Sequence, residues 1–240
     1  MLTTVDTRVA IAVDDLVKDY HGLRPLRLRQ LTIHEGERTA LSGLDATAAE
    51  VLVNLVNGAI LPDQGHVRIF GERTADIADE TAWFASLDRF GIVTLRAVLL
   101  EGSTVRQNLA LPFTIDIDHL DAETVKRTDA LAAEVGLPAG LIDAPLGPLS
   151  IDWRMRVHLA RALATEPQVL LLEHATVQMS RDAVPGFAEV VRAIATRRNL
   201  SVLAITEDPA LADIVATTHL RVQGGSGALV NARGWRRWLH

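Results

Sequence analysis

The chain has 240 residues, 48% of them apolar and only 4% aromatic, which excludes a disordered chain and calls for an aliphatic core. It contains no Cys, so a disulfide scaffold, a thiolate metal site and a Cys nucleophile are excluded together. The net charge is -6, with 30 acidic against 24 basic residues, and bulk charge gives no reason to expect a nucleic-acid partner. No apolar run approaches the ~18 residues of a membrane span, and residues 1–10 are polar rather than signal-like. The expectation is a soluble, cytoplasmic α/β domain.

The opening stretch reads as short strands. Val9-Ala10-Ile11-Ala12-Val13 is a compact apolar run, and residues 26–33 alternate with period two. His34-Glu35-Gly36-Glu37 is a turn into the strand Arg38-Thr39-Ala40-Leu41-Ser42. Gly43-Leu44-Asp45 breaks that strand. A helix over residues 48–57 follows, with Val51, Leu52, Leu55 and Val56 on one face and Gly58 at its end. Strand, glycine turn, helix is a geometry that aims helix amides at an anion. Leu61-Pro62-Asp63-Gln64-Gly65 is a turn, and residues 66–71 form an alternating strand with a glycine stop.

The middle third lacks strand signals after Ile92-Val93. It holds a helix over residues 122–135 and an Asp-rich polar stretch over residues 116–121, and it is predicted to be mostly helical. The last third alternates again. A helix over residues 152–164 precedes Val169-Leu170-Leu171-Leu172, a continuous apolar run that suits a strand buried on both faces. A helix over residues 180–198 and a second buried strand over residues 201–206 follow. Leu220-Arg221-Val222 and Ala228-Leu229-Val230 flank Gly224-Gly225-Ser226-Gly227 as a closing hairpin. Strands alternating with helices predict parallel βαβ units.

Six segments, in order and in register, carry a resemblance. They are residues 16–22 with Tyr20, residues 35–43, residues 61–65 with Ile69-Phe70-Gly71, residues 104–112, Leu149-Ser150, and residues 157–164. Over about residues 9–230 the chain resembles the nucleotide-binding subunit of ABC transporters. The resemblance implies an α/β, P-loop NTPase-like ABC cassette with an antiparallel β portion and a helical subdomain. It implies one domain over residues 1–240, with residues 1–94 and 156–240 as core and about 95–155 as the helical subdomain.

The functional positions depart from the family. The phosphate loop, Gly, four residues, then Gly-Lys-Ser/Thr, corresponds to Gly43-Leu44-Asp45-Ala46-Thr47-Ala48-Ala49-Glu50. Ala49 stands for the lysine that meets the β/γ-phosphates, and Glu50 for the hydroxyl that holds magnesium. Unit charges ~4 Å apart interact by ~4 kcal/mol at an effective dielectric near 20. One such reversal is therefore worth roughly a thousandfold in affinity. Glu173 keeps the carboxylate of the second phosphate-site strand, and His174 stands at the general-base position. Glu207 replaces the switch histidine, and the magnesium-contacting glutamine falls near Leu95. The signature segment, normally Leu-Ser-Gly-Gly-Gln, is Leu149-Ser150-Ile151-Asp152-Trp153. Its glycines would let backbone approach a nucleotide held by the opposite subunit. Glu50, Asp152, Glu173 and Glu207 thus gather acid where phosphates would lie.

The resemblance assigns a weak nucleotide site to Tyr20, residues 43–50 and Glu173, with Tyr20 stacking on adenine. A structural aromatic and a bland turn at Gly43 are the competing readings. His174 lacks the supporting groups of a general base. His158 is expected to pack, and no histidine spacing suits a metal. Residues 224–228 lack the last glycine of a serine elbow. The Arg- and Trp-rich residues 233–240 could touch a membrane surface or an acidic partner.

The expected function is that of a catalytically degenerate transporter subunit, structural or regulatory. It would pair as a homo- or heterodimer and dock on a membrane permease near residues 104–113, peripheral to the inner face of the cell membrane. No cofactor is expected. The alternatives are a divergent working ATPase, which would need ATP and Mg2+, and a soluble interaction module unconnected with transport.

Overall fold

The computed structural model describes residues 8–232. Two sheets form the scaffold. A four-stranded antiparallel sheet has the order β2-β1-β4-β5, built from β1 (Val9–Lys18), β2 (Leu26–His34), β4 (Gln64–Ile69) and β5 (Glu72–Arg73). A six-stranded sheet has the order β10-β9-β3-β8-β7-β6. Its strands are β3 (Arg38–Ser42), β6 (Phe90–Thr94), β7 (Val169–Glu173), β8 (Ser201–Ile205), β9 (Thr218–Gln223) and β10 (Ala228–Asn231). All its neighbouring pairs are parallel except the β9–β10 hairpin.

The continuous apolar strands are explained by two cores. Side chains alternate across a strand. Leu170 and Leu172 of β7 and Val202 and Ala204 of β8 join the core that holds the long helices α5 (Ile151–Leu163) and α6 (Val184–Arg198). Val169, Leu171, Leu203 and Ile205 join the other core, with α1 (Ala46–Val56) and the antiparallel sheet. Every residue of β7 and β8 is buried. At ~25 cal/mol per Å2 of apolar surface, such two-sided burial dominates the stability of this sheet.

Residues 95–155 carry α3 (Val105–Ala110), α4 (Ala122–Glu134) and the start of α5, with no strand longer than a single bridge. Thr104 and Gln107 make a capping box on α3. Arg106 reaches Asp143 and Asp129, both at 2.7 Å, and ties α3 to α4 and the turn after it.

Several boundaries differ from expectation. β1 runs to Lys18 rather than Val13, because Asp14, Leu16, Val17 and Lys18 continue to pair with β2. The helix expected from residue 180 begins at Val184, with Pro185 in its first turn, where a missing N–H costs nothing. Three helices were not foreseen individually, the short α3 among them. The helix α2 (Glu80–Leu87) buries no residue and so carries no apolar stripe. The helix α7 (Pro209–Val215) has only seven residues and is capped by Asp208.

Candidate functional site

The site grows from the end of β3. Gly43 has φ +89°, and a Cβ there would sit 2.6 Å from the Val222 carbonyl oxygen. Close backbone approach therefore demands glycine, whatever ligand is present. The Gly43 amide donates to Glu207 Oε1 at 2.5 Å. The other oxygen of Glu207 lies 3.4 Å from Arg221 Nη1. Asp45 is the N-cap of α1 and accepts from the Ala48 amide at 2.8 Å. Carboxylates thus take up two amides of a loop whose amides would otherwise face an anion. Ala49 is fully buried in the core, so the position of the missing lysine presents no polar group.

The next layer was missed by motif comparison. Arg96 lies two residues beyond β6, and its amide donates to Thr94 Oγ1 at 3.2 Å. Thr94 is the register partner of Glu173 on β7. The Arg96 guanidinium therefore meets Glu173 face to face, with Nε to Oε1 at 2.9 Å and Nη2 to Oε2 at 2.6 Å. Its third nitrogen, Nη1, reaches Glu50 Oε1 on α1 at 2.9 Å. Such forked, charge-assisted pairs are the strong ones. The Glu173 hydrogen bonds, together with the charges of both carboxylates and against partial burial, raise the guanidinium pKa. Glu173 is 7% exposed at its side chain, whereas Arg96 and Glu50 are about two-fifths exposed.

Each of the four acids singled out in the sequence has a partner in the structure. Glu50 and Glu173 share one guanidinium, and Glu207 faces Arg221. Asp152 accepts from Ser180, from its amide at 3.3 Å and its hydroxyl at 3.4 Å. It ties the first turn of α5 to the segment before α6. Leu149, Ile151 and Trp153 pack partly on the helical core, and Ser150 occupies the N-cap position without a side-chain cap. Leu95 packs on the same core.

The structure brings Tyr20, Gly43, Leu44, Asp45, Thr47 and Ala48 to one open cleft of about 560 Å3. Ala46 lies beside them on the first turn of α1. Partial burial, and then Asp45, raise the Tyr20 hydroxyl pKa. His174 has φ +43°, and its Nε2 is buried with no hydrogen-bond partner. It lines a separate cavity with Thr176, Arg181 and Asp208. His158 is 6% exposed, and burial, then Arg161 and Arg154, push its pKa down to about 4. Among the described residues, no group of three or more His, Cys, Asp or Glu could hold a metal ion. Residues 233–240 lie outside the described residues.

Fold and loop together define an ABC-type cassette. The sequence model of the ABC transporter family matches residues 26–177, and the chain belongs to that family. It is 32% identical over 227 residues to the methionine import ATP-binding protein MetN 2 of Paraburkholderia xenovorans, covering 92% of this chain and 58% of that protein. It thus spans little more than half of that relative. It is 30% identical over 196 residues to the lipoprotein-releasing system ATP-binding protein LolD of Pseudomonas syringae, covering 82% of this chain and 85% of that one. Among solved structures, dimeric MJ0796, a bacterial ABC transporter cassette, matches with a TM-score of 0.76 at 22% identity. That match covers 93% of this chain and 99% of the other, and it speaks for the fold. Among the described residues, no helix is long and apolar enough to cross a membrane.

Proposed function

We propose that this chain is a non-hydrolysing member of the ABC transporter ATP-binding subunits, a structural or regulatory partner in a transporter complex. It pairs with a second cassette, its own copy or an active paralogue, and docks on a membrane permease at the inner face of the membrane. Residues 95–155 act as the helical subdomain of the one cassette. The observation that carries this reading is the Arg96 guanidinium, held between Glu50 and Glu173. These are the two residues that stand where the family holds magnesium.

The residues present do not fit a magnesium-bound triphosphate. Ala49 supplies no cation, Glu207 accepts from the Gly43 amide, and both oxygens of Glu173 are taken by Arg96. No hydrolytic step is assigned to this site. The test is MgATP hydrolysis by the purified chain, alone and with any co-purifying cassette. Turnover at buffer background is expected. Hydrolysis above background that disappears in a folded Glu173→Ala variant would overturn the reading in favour of a working ATPase. Failure to co-purify with any membrane protein would favour an interaction module outside transport.

A further inference from the structure

We propose that the Arg96 guanidinium is the internal counterion of this cassette and excludes a divalent cation from the Glu50–Glu173 carboxylate pair. The proposal rests on the reading that the site has ceased to handle nucleotide, and it adds what took over the charge.

The argument is geometric. Hard divalent cations seek anionic oxygens, and a buried carboxylate offers two. Both oxygens of Glu173 are engaged by Arg96, at 2.9 and 2.6 Å, and one oxygen of Glu50 at 2.9 Å. A cation could enter only by displacing a forked guanidinium from a side chain that is 7% exposed. The fork is also delivered by the fold. Thr94 pairs with Glu173 in the β6–β7 register, and the Thr94 hydroxyl accepts the Arg96 amide. The arginine therefore emerges directly beside the carboxylate. The two Glu come from elements 123 residues apart in sequence (173 − 50), yet one side chain satisfies both. Removing it leaves two carboxylates converging on one vacated point, the half-site of an oxygen-ligated cation.

The experiment uses Mn2+ alone, without nucleotide, so that its outcome is independent of ATP binding. Free Mn2+ is followed by electron paramagnetic resonance during titration of the wild-type chain, Arg96→Gln, Arg96→Met, Glu173→Gln and the double variant Arg96→Gln/Glu173→Gln. Circular dichroism reports folding throughout. The wild-type chain is expected to leave the free Mn2+ signal unchanged. Arg96→Gln should bind at least about tenfold more tightly than wild type. The double variant should lose that gain. Mn2+ should raise the melting temperature of Arg96→Gln and not that of wild type. Should Arg96→Gln not fold, Arg96→Met, which keeps the apolar stem, carries the same expectation. Wild-type binding as tight as that of either variant overturns the proposal, and so does wild-type binding abolished by Glu173→Gln. A folded Arg96 variant with no gain overturns it equally.

Discussion

On one side of the loop that begins at Gly43 lies an open cleft, walled by Tyr20 and the start of α1. On the other side, Glu50, Glu173 and Arg96 close on one another in three hydrogen bonds. The same eleven-residue helix borders both. The difference separates two kinds of constraint. The cleft follows from backbone shape: Gly43 is held against Val222, and Asp45 caps α1. The fold needs both with or without a ligand. The opposite side depends on the charges of side chains, which can be exchanged without moving the backbone, provided the new charges pair.

Four measurements bear on that contrast. The largest effect is a background that must be known first. His158 has a folded pKa of about 4 against an ordinary 6.5, so the unfolded chain binds its proton more readily. Its contribution is therefore complete above about pH 6.5 and is lost as pH falls toward about 4, a change of order 3 kcal/mol. Urea titrations across that range should show the decline, and His158→Leu should flatten it. Acid loss that persists unchanged in His158→Leu would show that the imidazole is not its source.

Next comes the bridge. Arg96→Ala leaves Glu173 buried and unpaired, which costs about 3–5 kcal/mol in a fully buried pair. The exposure of Arg96 and Glu50 reduces this to about 2–3 kcal/mol. Adding Glu173→Leu should recover most of the loss, since the stranded charge goes with it. Chemical denaturation at neutral pH reads both. A loss below about 0.5 kcal/mol would reduce the bridge to an ordinary surface pair.

On the cleft side, Asp45→Ala removes the N-cap of α1 and should cost about 1 kcal/mol by the same assay. A gain in stability would mean that the carboxylate is strained at the helix start rather than capping it. The smallest effect concerns ligands. Calorimetry should find AMP and MgATP within about threefold of each other, because Ala49 offers no cation where the family lysine would meet the added phosphates and Arg96 is already held by Glu50 and Glu173. A tenfold preference for MgATP would erase the contrast between the two sides.

Much of the fold is visible in the sequence for a physical reason. β3 falls on the expected residues, and β7 and β8 read as unbroken apolar runs because each packs on two cores. The helix α2 is hidden because it buries nothing, and a pattern of burial is the signal sought. The signal for α7 was present in Asp208-Pro209, a cap followed by a residue suited to a first turn. At the site, the substituted positions are legible one by one, but their pairing is not. Arg96 lies 46 residues from Glu50 and 77 from Glu173, and only the sheet register joins them. The available signal was the need of two new carboxylates for a cation. Arg96, next to the position of the lost glutamine, was the candidate at hand.

The Thr94–Glu173 register carries a kinetic consequence. Arg96 cannot meet Glu173 until β6 and β7 have aligned along their length, across 77 residues of intervening chain. Closing such a long loop carries an entropic cost that must be met before the contact can form. A bridge that forms only after that closure places its stabilisation on the unfolding limb, so Arg96→Ala is expected to speed unfolding in a chevron measurement and to leave the folding rate nearly unchanged. The bridge should lengthen the lifetime of the native cassette, as a latch engaged only after the door has shut.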